Sequence, residues 1–338
     1  MKRILLTALV VAAPFVAAAQ SSDPVAAKVI DTHILPRFET LADTSDQLAQ
    51  AATADCTPAS EPLRAAYGDA FDAWVSVSHL RFGPTEVNDR AFALAFWPDS
   101  RGVTPRTLST LIAEQDPVIA TAQEFAKVSI AARGFYALEF LLYDDVLGAA
   151  GDPAYHCALV QAAAADIAVT SAAILTDWQG DYAARLLNPG PTGTYRSQEE
   201  VLQELFKALT TGLEFTSDTR LGRPLGSFDR PRPNRAEVWR SGRSARHVAL
   251  SLETLENLMV LLAGGNADLV ARSEQAFDTA LSQIEALDDP VFAGVAAPQS
   301  RLKVEVVQQS VDAIRDIARQ ELGPTLGVAA GFNALDGD

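Results

Sequence analysis

Four predicted helix starts along this chain set a helix-capping residue directly before a proline: Asp23-Pro24, Thr104-Pro105, Asp116-Pro117 and Asp152-Pro153. An Asp or Thr side chain accepts from the first free amides of a helix, and proline at the next position has no N–H to leave unpaired. Apolar residues recur with helical spacing between these starts, and no alternating run of useful length reads as a strand. The predicted fold is all-α, a bundle of antiparallel neighbours. The first helix runs from Asp23-Pro24 to about Ala54, with Pro36 as a kink. Glu61 to Phe82 is the second, stopped by Gly83-Pro84. Asp116-Pro117 opens a long helix through the apolar stretch Phe125 to Leu147, and Asp152-Pro153 opens one ending near Trp178. Ser197 with Glu200 and Asn234 with Glu237 have capping-box spacing, the second opening a helix to Gly264-Gly265. Two more span about Ala267–Leu287 and Arg301–Leu322, the last stopped by Gly323-Pro324. Residues 179–196 and 218–233 are rich in Pro, Gly and Arg and read as long loops. Two helical bundles are expected, residues 20–150 and 151–338.

The chain opens like an export signal. Lys2 and Arg3 precede an apolar run, Ile4 to Val16, and Ala17-Ala18-Ala19 offers small residues for cleavage near Ala19. That run is too short to span a bilayer, and no later stretch is an uninterrupted apolar span. A soluble periplasmic protein without a transmembrane segment is expected. The net charge of −16 argues against nucleic acid as a partner, because phosphates would be repelled. Two cysteines, Cys56 and Cys157, form an even pair, which reads as one disulfide in an oxidising compartment. Two separate buried thiols are the other reading.

Residues 134–139, Gly-Phe-Tyr-Ala-Leu-Glu, place Tyr136 and Glu139 three apart, on one face of a helix. Facing a cleft, they offer two converging oxygens; facing a core, they need partners. The four histidines, His33, His79, His156 and His247, lie in no zinc-protease motif, and no Gly-x-Ser-x-Gly elbow is present. His79 stands out, in the turn before Arg81-Phe82-Gly83-Pro84. Trp97, Asp99 and Arg101 cluster in Phe96-Trp-Pro-Asp-Ser-Arg-Gly102. They read either as site residues or as a turn with a local Asp–Arg pair. Arg240, Arg243 and Arg246 are spaced to share a helix face, and would meet structural carboxylates or an anionic ligand. The chain ends Gly331-Phe-Asn-Ala-Leu-Asp336-Gly-Asp338, an unusual tail.

These pieces, in this order, resemble the imelysin-like proteins, a family named for an insulin-cleaving bacterial membrane protease. The resemblance rests on His33-Ile-Leu-Pro-Arg-Phe38, Arg81-Phe-Gly-Pro84, Phe96-Trp-Pro-Asp99, Gly134 to Glu139, Trp239-Arg-Ser-Gly242 and the Gly331–Asp338 ending. It covers nearly the whole mature chain. It implies an all-helical two-bundle fold, an envelope location and a link to bacterial iron uptake. The family pattern at its site is Gly-x-His-x-x-Glu. Gly134 and Glu139 match it, and Tyr136 replaces the histidine. A phenol ligates zinc poorly but suits a strongly acidifying ion such as ferric iron. The reading that follows is an iron-acquisition binding or accessory component that holds a metal ion or small anionic ligand near Glu139 and Tyr136. Metallopeptidase activity and a scaffold for an outer-membrane protein are the alternatives.

Overall fold

The computed structural model describes residues 23–328, and the fold over that span is all-α, with no strand among the described residues. The export signal and the Gly331–Asp338 tail, Asp336 included, lie outside the described residues. The first helical run opens where Asp23 accepts from the Val25 amide at 2.7 Å. It continues as Pro24–Val29 and a π-helical turn Ile30–Ile34, then as α1, Leu35–Ala54. Proline 36 lies at the start of α1, where its missing N–H is met by the wider π turn. The other principal helices are α2 (Glu61–Val75), α3 (Val103–Glu114), α4 (Gly134–Tyr143), α5 (Pro153–Asp177), α6 (Gln198–Glu214), α7 (Ser244–Ala263), α8 (Ala267–Glu285) and α9 (Pro298–Ile317).

Packing follows two groups. Helix α1 lies along α5 and α2, and α4 packs on α5. Helices α7, α8 and α9 pack in succession, with α6 against α7 and α9, while α2 touches α7. Cys56 and Cys157 form the expected disulfide, joining the ends of α1 and α5. The helix Pro153–Leu187 is long and apolar enough to cross a membrane, but half of its most apolar window is buried within the protein. Asp166 on it pairs with Arg133 at 2.8 Å.

Several predicted helices differ in extent. The second ends at Val75, because Ser76 and Ser78 turn their hydroxyls back onto the carbonyls of Asp72 and Val75. No long helix starts at Asp116. That residue caps only the short turn Pro117–Ala120, Thr121 caps a new one at Ala122–Phe125, and the helix bearing the glycine motif begins at Gly134. The apolar stretch looked continuous, but side-chain caps divide it. Asn234 and Glu237 form no capping box: Pro233–Arg235 is a single turn, and α7 starts at Ser244. Only Arg246 of the three spaced arginines is therefore helical. The segments expected as loops contain helical turns, Trp178–Tyr182 with Ala183–Leu187, and Phe215–Leu221 with Gly222–Leu225. The last helix starts at Pro298, not Arg301. It passes Gly323-Pro324 to Leu326, where left-handed Gly327 ends it.

Candidate functional site

Helix α4 sits where it does because of its first residue. Gly134 has φ +72°, and a Cβ there would lie 2.2 Å from the Leu94 carbonyl oxygen. Only glycine permits that approach of the Arg90–Leu94 turn. Two residues on, Tyr136 is held edge-on to Phe71 at 5.1 Å and stacked on Trp97 at 6.0 Å. Its hydroxyl donates to Glu237 Oε1. It does not bond Glu139.

Glu237 is the residue that the sequence concealed. It is 1% exposed and lies in the irregular segment before α7. Arg220 Nε, from the π turn after α6, donates to Glu237 Oε2 at 2.7 Å, and this pair is buried on both sides. His247 Nδ1 stands 3.4 Å from the same oxygen, outside hydrogen-bonding geometry. Burial alone would raise the Glu237 carboxyl, but Arg220, His247 and the Tyr136 hydroxyl outweigh it and lower the pKa to about 2. The adjoining Val238 adopts φ +45°, a left-handed conformation that a β-branched residue adopts only under constraint. Its carbonyl accepts from Ser241 Oγ at 3.1 Å and the Arg243 amide at 3.2 Å.

Glu139, one turn beyond Tyr136, is 3% exposed. Its Oε1 accepts from the Ser241 amide at 3.0 Å and Ser241 Oγ at 2.9 Å. Burial dominates here, with Glu237 adding to it. The Ser241 bonds and Arg240 offset this only in part, and the pKa rises to about 7. Two buried carboxyls on one site are thus driven in opposite directions.

Two cavities meet at Tyr136 and Trp97. One, of about 240 Å³, is polar and bounded by Asp99, Tyr136, Glu139, Arg223 and Arg235 among others. The second, of about 370 Å³, is walled by Trp74, Phe82, Phe92, Trp97 and Phe215, with His79 and Arg220 among its polar residues. Tyr136 therefore faces a cleft. In the polar cavity, Arg223 has a buried Nε with no partner. Burial, then the nearby Arg235 charge, depresses its pKa. Neither arginine forms an ion pair among the described residues.

The remaining expected residues have structural partners. Arg81 pairs with Glu86 at 2.6 Å on the rim of the aromatic cavity. Asp99 accepts from the backbone amides of Arg101 and Thr104, so the Asp99–Arg101 contact is to main chain rather than guanidinium. Arg240 pairs with Asp144 at 2.8 Å, Arg246 with Asp72 at 2.7 Å, and Arg243 with the same Asp72. These are the structural carboxylates. No group of three or more His, Cys, Asp or Glu side chains among the described residues is placed to hold a metal ion. Tyr136 and Glu139 each commit an oxygen to a protein partner, so the residues present do not fit a bare-ion centre.

The imelysin (peptidase M75) family model matches residues 34–318. The chain belongs to the imelysin family. Iron-regulated protein A of Synechococcus elongatus is 23% identical over 323 residues, 87% of this chain and 84% of that protein. An imelysin-like protein from Psychrobacter arcticum has the same fold, with a TM-score of 0.77 at 21% identity, covering 92% of this chain and 99% of its own. A Parabacteroides distasonis protein named as an iron-regulated protein A precursor superposes with a TM-score of 0.72 at 12% identity. It covers 88% of this chain and 94% of its own.

Proposed function

We propose that this imelysin protein is an exported, periplasmic binding component in iron acquisition, and that it takes a small anionic chelate rather than a bare ion. The observation that carries this reading is Arg223 with Arg235, two cations without acidic partners on a polar cavity of about 240 Å³. Arg223 is half-buried over the Trp97 ring with its Nε unbonded, and Arg235 is exposed at the rim. Taking the Arg223 charge out of water is unfavourable unless an anion completes it. The iron connection is supported by the names of the Synechococcus and Parabacteroides proteins, and export by the second being a precursor. The leader-like start of this chain agrees with it.

One observation favours a hydrolase instead. Glu139, with a pKa of about 7, is poised for proton transfer. The two readings separate in one set of measurements on the mature protein. Calorimetry with ferric citrate, citrate, ferrous iron and zinc is expected to show saturable binding of ferric citrate and none of zinc. No binding of any iron form would reject the proposal. Chelator-sensitive cleavage of an unfolded protein, lost in Glu139→Ala, would establish the peptidase.

A further inference from the structure

The aromatic cavity has a polar group that the proposed function does not use. His33 and His79, distant in sequence, touch through Nε2 and Nε2 at 2.9 Å. His33 Nδ1 lies 2.8 Å from Asn257 Oδ1, and Arg37 donates to the same oxygen at 3.2 Å. An oxygen that accepts from a guanidinium also accepts from the ring, so His33 Nδ1 carries the proton. Its Nε2 is then a lone pair, and His79 Nε2 must donate to it. His79 is left with a lone pair on Nδ1, which takes part in no hydrogen bond found among the described residues. His79 is 7% exposed and borders the cavity of about 370 Å³. Burial and neighbouring positive charge keep both imidazoles neutral, His33 at about 3. Ser251, on the same wall, has a buried hydroxyl without a partner.

We propose that this cavity is a binding site for a small uncharged aromatic molecule whose O–H or N–H donates to His79 Nδ1. The aromatic walls supply stacking surfaces, and the fixed tautomer supplies directional selectivity. Asn257 acts as a positioning residue, setting the tautomer from outside the cavity. The inference does not depend on the iron-linked reading, which uses the other cavity.

The test compares three probes by fluorescence titration: 2-naphthol, 2-methoxynaphthalene and 2-naphthoate. We expect 2-naphthol to bind about tenfold more tightly than the methyl ether, the worth of one buried hydrogen bond. His79→Phe should erase that difference. Asn257→Leu should diminish it while leaving the cavity walls intact, with folding of both variants checked by circular dichroism. Long-range proton–nitrogen NMR should show His79 protonated on Nε2 and His33 on Nδ1 at neutral pH, and a mixture in Asn257→Leu. Equal affinity for naphthol and ether, tighter binding of 2-naphthoate, no binding of any probe, or a proton on His79 Nδ1 would each overturn the proposal.

Discussion

Glu139 and Glu237 make the site respond to pH in two opposed ways. Glu139 has its folded pKa raised from 4.5 to about 7, so the folded state holds a proton that the unfolded chain has released. Stability therefore falls as pH rises through that window, by on the order of 3 kcal/mol. Glu139→Gln keeps an acceptor for Ser241. It should be nearly neutral at pH 4 and stabilising by about 2–3 kcal/mol at pH 8, read by urea denaturation. Glu237 is the reverse case. Its pKa is depressed from 4.5 to about 2, so its contribution is present above the unfolded value and is lost as pH falls toward 2. Glu237→Gln leaves Arg220 buried without a counter-charge and should cost about 3–5 kcal/mol at pH 7. Glu237 was hidden because its distance from Asn234 is that of a capping box, and local spacing cannot report that a distant Arg220 and Tyr136 claim the carboxylate. Glu139 and Tyr136 were legible because a carboxylate and a phenol are conspicuous in an apolar run. Their true partners are 102 and 101 residues away.

Helix α4 is placed by backbone contact rather than by its apolar face. The glycine at its start was visible in the sequence. What was not visible is the backbone that comes close to it, since the Arg90–Leu94 turn is brought there by the fold. Gly134→Ala would set a Cβ 2.2 Å and 2.3 Å from the carbonyl oxygens of Leu94 and Ala93. Neither can move without shifting the turn. We expect a loss of at least about 2–3 kcal/mol in denaturant unfolding, with weakened ligand binding, because Tyr136 moves with the helix. Helix starts capped by Asp-Pro were read correctly at Pro24 and Pro153, where the apolar pattern continues behind the cap. Asp116-Pro117 has the same local chemistry, but Thr121 caps again four residues after Pro117 and the run ends.

At the scale of the molecule, a covalent link and an unpaired charge set the expectations. The Cys56–Cys157 disulfide spans 101 residues. Closing so long a loop restricts the unfolded chain by roughly 4–5 kcal/mol in the chain-entropy view. The Cys56→Ser, Cys157→Ser double variant should lose stability of that order in denaturant unfolding and keep its helical circular dichroism. The all-α class was legible throughout, because helical periodicity and caps are local. The two cavities were not, because each draws its walls from segments between residues 74 and 255. The central claim is that Arg223 and Arg235 await an anion, and titrating ferric citrate into wild type and an Arg223→Gln, Arg235→Gln double variant tests it most directly. The account predicts saturable binding by wild type that weakens at least about tenfold in the variant and falls with added salt. Undiminished affinity in a folded double variant would contradict it.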